Sequence, residues 1–313
     1  MGGSRTGRVE TMDNQGLETF QDSQLNVYNF QAVMQNPPAN YEALRFDPNN
    51  KCNLHCVYCH NAQTDDAIDA ERFVEFLHTK VGTVQDFQFG CIMEPTLDRR
   101  MTDFMLRIAE SPAKPVRSYY FQTNGILLHR HDHGKMREAG LTRLSVSIDS
   151  ADTSIQKELR NGTSLQKVVR NIKEFAVACP ETDIHFVTTV TRVNIDKVED
   201  LIALGLDMGV GGFTFREVFY YPGNKNNMVD HARMPKLLLH EGQFDRMIEH
   251  VLRRFEGAAE FGFFDNKWLH ESSKRMVRDS RYVGQDIDDP YAAARPGPLP
   301  AVARMMWEWF KRR

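Results

Sequence analysis

Several things are scarce in this chain, and each scarcity removes a class of explanation. No run of apolar residues approaches the ~20 needed to cross a bilayer, so nothing asks for a membrane. Basic residues are not in excess: 39 Lys and Arg stand against 42 Asp and Glu, for a net charge of −3. With a sequence pI of about 6.4, there is no basic field to suit nucleic acid. Cysteine is sparse, with five in 313 residues and none after Cys179. An odd count with three crowded together does not make a disulfide framework and suits a reducing compartment. The first 36 residues are polar and rich in Gly, Gln and Asn, without the apolar core of a signal peptide, so a cytoplasmic location is expected.

What is present begins with Cys52-Asn53-Leu54-His55-Cys56-Val57-Tyr58-Cys59, a C-x3-C-x2-C pattern. Three thiolates leave one iron of a cubane iron–sulfur cluster without a protein ligand. The competing reading is a structural zinc site, which needs four closed ligands. His55 or His60 is available as a fourth, but no second cysteine pair follows.

Downstream, strand-like and helix-like segments alternate. Strands are expected at 43–46, 86–91, 118–122, 144–148, 184–190 and 213–218, with helices at 68–77, 101–108, 129–139, 164–178, 194–206 and 244–255. Residues 260–265 offer one more strand at the open edge. Such alternation means βα units and a parallel sheet. Six units are too few for a closed eight-stranded barrel and predict an α/β fold with a partial (β/α)6 barrel. Active sites of barrels lie at the C-terminal ends of the strands, and the cysteine loop follows the first strand directly.

The cysteine spacing resembles that of the radical S-adenosylmethionine (SAM) superfamily, and the strand ends carry further similarities in the family's order. Phe89-Gly90-Cys91-Ile92-Met93-Glu94-Pro95 resembles the glycine-glycine-glutamate-proline motif, with Ile92 and Met93 in place of the glycines. Thr123-Asn124-Gly125 resembles the Thr-Asn-Gly turn. Ser147-Ile148-Asp149 followed by Leu159-Arg160 resembles the Ser-Ile-Asp … Leu-Arg signature of the branch that includes molybdopterin- and peptide-modifying enzymes. Thr189 to Asn194 is similar to the fifth-strand segment.

The resemblance implies a [4Fe–4S] cluster on Cys52, Cys56 and Cys59, with SAM chelating the open iron. It implies that Glu94 accepts the SAM ammonium, that Ser147 meets the methionine moiety and that Arg160 pairs with the SAM carboxylate. Asn124 and Asn194 lie at the SAM site, and Tyr58 lies near the adenine. An electron donor such as flavodoxin or ferredoxin reduces the cluster, SAM is cleaved, and a 5′-deoxyadenosyl radical takes hydrogen from a substrate. Without cysteines beyond Cys179, one cluster and no auxiliary centre is expected.

Other residues admit two readings. Cys91 is a candidate hydrogen-atom donor to a substrate radical, or a small buried hydrophobe at a strand end. His129, His131 and His133 resemble a metal cluster by composition, or open a solvated helix. Arg216 shares a strand face with Thr214, and Glu217 with Phe213 and Phe215, so either faces the barrel interior; Tyr220 and Tyr221 continue toward the strand top.

The chain divides into an N-terminal extension (1–40), a barrel core (41–235), a C-terminal barrel and substrate-capping part (236–283) and a tail (284–313) ending in a Met- and Trp-containing helix. The favoured function is hydrogen abstraction from a polar small molecule, sugar- or nucleoside-like, in natural-product biosynthesis. The alternatives are a glycyl-radical enzyme activating enzyme and a zinc-stabilised scaffold.

Overall fold

The computed structural model describes residues 40–65, 69–220 and 229–265. The N-terminal extension apart from Asn40, Ile68, Tyr221 and the tail from 284 with its terminal helix lie outside the described residues.

Seven strands form one sheet: β1 (Asn40–Phe46), β2 (Thr83–Phe89), β3 (Pro115–Thr123), β4 (Arg143–Ser147), β5 (Asp183–Val190), β6 (Gly212–Glu217) and β7 (Glu260–Phe264). Every pairing is parallel, and the spatial order is the chain order. The sheet curls into an open half-barrel of the α/β class. Residues 260–264 are its seventh strand and lengthen the expected six.

The helices among the described residues are α1 (Ala70–Lys80), α2 (Met101–Ala109), α3 (His133–Glu138), α4 (Thr153–Leu159), α5 (Leu165–Ala178), α6 (Val198–Asp207), α7 (Met234–Leu237) and α8 (Gln243–Arg254), of which α4 and α7 contribute Leu159, Met234 and Leu237 to a cluster with Val57 of the cysteine loop. Their starts follow local chemistry. The side chains of Asp69, Asp132, Asp152 and Ser164 each accept from an amide of the first turn, which satisfies donors that the helix itself leaves unpaired. The Asp132 cap starts α3 at His133, so the expected helix from His129 divides into a 3-10 turn (Leu128–Arg130) and a short helix. In α5, Leu165, Val168, Ile172 and Phe175 are buried on one stripe, the spacing of an amphipathic helix.

The two faces of the sheet are chemically distinct. Phe46, Phe89 and Phe121 are in register on one face, and Phe186 is in register with Phe213 on the same outer side. Phe46 stacks on Phe73 of α1 at 3.9 Å, and Gly205 of α6 lies against Phe213 so closely that a Cβ would sit 2.6 Å from its ring. This aromatic face is the core under the helices. The opposite face carries the registers Arg45–Gln88–Tyr120, Gln122–Ser145–His185, Ser147–Val187–Thr214 and Thr189–Arg216–Phe264. The barrel interior is therefore polar.

Candidate active site

β1 ends at Phe46 and feeds the cysteine loop, as the strand-end rule requires. Leu54 and Val57 are buried and pin the loop. A two-residue ribbon, His55–Cys56, pairs antiparallel with Arg160–Asn161 at the end of α4. The Val57 amide donates to the Leu159 carbonyl at 3.0 Å.

All three cysteines are free and partly exposed. Nitrogen donors point at two of the sulfurs: the Leu54 amide (3.4 Å) and Asn124 Nδ2 (3.8 Å) at Cys52, and Arg160 Nη1 (3.9 Å) at Cys56. Such donors suit anionic sulfur. Burial pushes the Cys56 thiol up to about 12 and raises Cys52 as well, so these groups become thiolates when a cation binds the sulfur and displaces the proton. Among the described residues, no three His, Cys, Asp or Glu side chains gather as ligands of one ion. A cubane asks for something different, one thiolate on each of three irons, and three thiols on one loop at the barrel mouth fit that group.

Glu94 lies at the end of β2 and is 1% exposed. Its Oε1 accepts from the Thr96 amide (3.1 Å), Thr96 Oγ1 (2.5 Å) and Thr123 Oγ1 (2.7 Å), and its Oε2 accepts from the Asn124 amide (2.7 Å). Burial raises its pKa, and these bonds oppose that rise. Glu94 thus ties the ends of β2 and β3 together, and Oε2 retains acceptor capacity.

The loop before it is organised by Asp47, a residue that sequence reasoning missed. The Asp47 carboxylate accepts from the amides of Cys91 (2.9 Å), Ile92 (3.1 Å) and Met93 (3.2 Å), and from the Cys91 thiol (3.1 Å). Three successive amides around one anion form a nest, which holds the loop where the family motif has glycines. The left-handed turn falls on Gly90, φ +77°. A Cβ there would lie 2.6 Å from Pro95 Cγ and 2.7 Å from the Gln122 carbonyl oxygen.

Asp149, at the end of β4, is the second hub. Its carboxylate accepts from the Tyr58 hydroxyl, Arg160 Nη2 (3.0 Å) and the Thr189 amide (2.9 Å), and pairs with Arg160 Nε at 2.9 Å. The Tyr58 ring lies 5.8 Å from the guanidinium carbon. Burial works against the Arg160 charge, but Asp149, Tyr58 and Cys56 outweigh it, and the pKa rises. Arg160 is therefore in a buried ion pair, and the Tyr58 ring is packed beneath it.

Asn194 bridges two strand ends. Its Oδ1 accepts from the Thr191 amide and hydroxyl, and its Nδ2 donates to the Asp149 and Thr189 carbonyls. That uses all four hydrogen-bond positions of the amide, so Asn194 shapes the site. Asn124 also bridges, donating from Nδ2 to Asn53 Oδ1 at 2.8 Å. Ser147 is partly exposed at the end of β4.

The remaining candidates separate. His131 bonds the Thr96 carbonyl, His133 the Leu128 carbonyl, and His129 approaches Asn171; the three do not share a centre. Phe213 and Phe215 are buried under the helices, which puts Arg216 on the interior face and Glu217 on the outer one. Tyr220 bonds His231 at 2.9 Å. Cys179 is buried at the end of α5, its thiol on the His133 carbonyl.

The Radical SAM superfamily model matches residues 47–205, a span holding the three cysteines and both carboxylate hubs. The chain is 32% identical over 165 residues to the probable GTP 3′,8-cyclase of Archaeoglobus fulgidus, across 51% of this chain and 53% of that one. It is 28% identical over 199 residues to the probable GTP 3′,8-cyclase of Sulfurisphaera tokodaii, across 63% and 62%. The chain thus spans a little over half the length of these curated relatives. Streptococcus suis SuiB bound to S-adenosylmethionine superposes with a TM-score of 0.54 at 17% identity, over 73% of this chain and 50% of that one. The anSMEcpe enzyme with bound AdoMet gives 0.52 at 17%, over 71% and 64%. At such identities these two speak to the fold, which is the same partial barrel. The chain belongs to the Radical SAM superfamily.

Proposed function

We propose that this chain reductively cleaves SAM and directs the resulting radical at a C–H bond of a polar small molecule. The observation that carries the reading is the placement of three free thiols on the loop after β1, at the mouth of a polar barrel interior. The family's cofactors are a [4Fe–4S] cluster and SAM, and bound here they supply a 5′-deoxyadenosyl radical able to abstract hydrogen. Cys52, Cys56 and Cys59 hold the cluster. Glu94 takes the SAM ammonium at Oε2, a charge-assisted bond. Ser147 meets the methionine moiety. Arg160 would meet the SAM carboxylate from the Nη1 side, since Nη2 is hydrogen-bonded to Asp149. Asn194 and Asn124 hold the surrounding loops.

Relatives that bear the name GTP 3′,8-cyclase support a nucleoside-like substrate over a protein glycine, the substrate of an activating enzyme, and over a zinc scaffold. A flavodoxin- or ferredoxin-type protein would supply the electron for a cluster held by Cys52, Cys56 and Cys59. No helix among the described residues is long and apolar enough to cross a membrane.

A second role belongs to Cys91. Burial, then the neighbouring Asp47 charge, raise its pKa well above the ordinary thiol range, so it remains an S–H group near the barrel interior. A thiol in that state is a competent hydrogen-atom donor to a substrate radical: the S–H bond breaks, a C–H bond forms, and the thiyl left behind takes one electron from the donor and one proton from solvent to restore the thiol. Loss of product with retained 5′-deoxyadenosine in Cys91→Ala supports this; full product formation ends it.

The main test is anaerobic reconstitution with iron and sulfide, followed by dithionite and SAM, with 5′-deoxyadenosine read by mass spectrometry. Formation that is lost in Cys52→Ala, Cys56→Ala and Cys59→Ala supports the proposal. A protein that assembles no cluster, or that binds zinc tightly in its place, overturns it.

A further inference from the structure

Arg160 and Cys56 face each other across the ribbon that backs the cysteine loop. They are register partners in the antiparallel pair of His55–Cys56 with Arg160–Asn161, and side chains directly opposite in such a pair leave it on the same side. Arg160 Nη1 accordingly reaches the Cys56 sulfur at 3.9 Å. Among the described residues, Arg160 is the arginine at hydrogen-bonding distance from a cysteine sulfur.

The guanidinium is held in that position from its other side. Nη2 donates to Asp149 Oδ1 at 3.0 Å, and Nε stands 2.9 Å from Oδ2. Asp149 is fixed in turn by the Thr189 amide at 2.9 Å and by the Tyr58 hydroxyl. Nη1 is therefore the tip of the fork turned away from the carboxylate, and the positive end of the ion pair is the end at Cys56. Both side chains are buried, so solvent ions do little to screen the charge. The other two sulfurs have different surroundings. Cys52 meets neutral donors, the Leu54 amide at 3.4 Å and Asn124 Nδ2 at 3.8 Å. Cys59 lies 3.9 Å from the Asn61 carbonyl oxygen, an acceptor. The charged donor is at Cys56.

Hydrogen bonds to the ligand sulfurs, and the net charge around them, set the reduction potential of an iron–sulfur cluster. A positive donor favours the state that carries more negative charge, which is the reduced one. We propose that Arg160, held on Asp149, raises the reduction potential of a cluster carried by Cys52, Cys56 and Cys59 by donating from Nη1 to the Cys56 sulfur. This rests on the radical SAM reading and adds to it the residue that tunes the electron-transfer step. In that step one electron from the flavodoxin- or ferredoxin-type donor converts [4Fe–4S]2+ to [4Fe–4S]+, and no protein bond forms or breaks. Arg160 acts through Cys56, as a positioning residue for charge. Nη1 carries two hydrogens, so its bond to Cys56 leaves one for the SAM carboxylate.

The test is an anaerobic redox titration of the reconstituted protein without SAM, read by EPR of the reduced cluster. Arg160→Gln combined with Asp149→Asn removes both charges, so neither is left buried alone. At a fixed potential the ratio of reduced to oxidised cluster should fall about tenfold, which is about 59 mV for one electron. Arg160→Lys keeps the charge and should lose less. A double variant with the wild-type midpoint overturns the proposal. A second measurement needs no variant. In protein grown on arginine labelled with 15N at the guanidinium, pulsed EPR of the reduced cluster should show a 15N coupling. Absence of that coupling overturns the proposal even where the variants fail to fold. Formation of 5′-deoxyadenosine on adding SAM separates the two readings. Product with an unmoved midpoint removes the tuning alone. A shifted midpoint and a 15N coupling without product remove the radical SAM reading alone. A wild-type protein that assembles no cluster removes both.

Discussion

Arg160 grips both carboxylate oxygens of Asp149, with Nη2 at 3.0 Å from Oδ1 and Nε at 2.9 Å from Oδ2. The pair is almost wholly enclosed, with side-chain exposures of 9% and 0%. It joins the end of β4 to the ribbon that backs the cysteine loop. Breaking one side of a buried pair leaves a charge without compensation. Asp149→Asn is expected to cost about 3–5 kcal/mol, read as a shift in the urea midpoint, and to lower iron bound per chain. Tyr58→Phe removes one hydroxyl from the same carboxylate and should cost about 1.5–3 kcal/mol.

Glu94 tests a different dependence. Its carboxylate faces four protein donors, so Glu94→Gln turns an NH2 group toward donors at one oxygen. SAM affinity and thermal stability should fall together, the latter by about 1–3 kcal/mol. A variant that loses SAM binding at unchanged stability would place the carboxylate at the ligand alone.

The Cys91 thiol gives a pH prediction. Its folded pKa is raised above the ordinary 9.0, first by burial and then by Asp47. The unfolded chain therefore releases this proton at lower pH than the fold does. The contribution to stability is complete below pH 9 and is lost as pH rises beyond it. Alkylation of the Cys91 peptide by iodoacetamide, followed by mass spectrometry, should be slow at pH 9 in the wild type. It should be faster in Asp47→Asn, which removes the neighbouring negative charge.

Gly90→Ala should be poorly tolerated. The left-handed backbone costs an L side chain about 1–2 kcal/mol, and the crowding against Pro95 and the Gln122 carbonyl adds about 1–3 kcal/mol. A clear drop in Tm is the expected result.

The cysteine loop, the parallel sheet and the strand-end positions of Glu94, Asn124, Ser147 and Asp149 were legible because they rest on local spacing and period. Helix α4 was missed because it is only seven residues long, although Asp152 before it is a cap signal. The bonding of Asn194 was not legible, since the four groups it bonds lie in two separate strand ends. Asp47 gave no signal at all: its nest is 44 residues away in sequence, and no motif marks a carboxylate that stands in for two glycines. The choice between Arg216 and Glu217 needed the packing of Phe213 and Phe215 under the helices, because alternation fixes the two faces without naming them.

The strands lie side by side in the order in which they are written, so each new βα unit meets a neighbour already made. A sheet of this kind can grow from one end as the chain leaves the ribosome, with short loops to close at each step. The cysteine loop is the exception. It emerges with the first strand, but Arg160, its partner at Cys56, follows 104 residues later. The thiols are thus made well before their backing, and assembly of the cluster on a completed site waits for α4 and the ribbon after it.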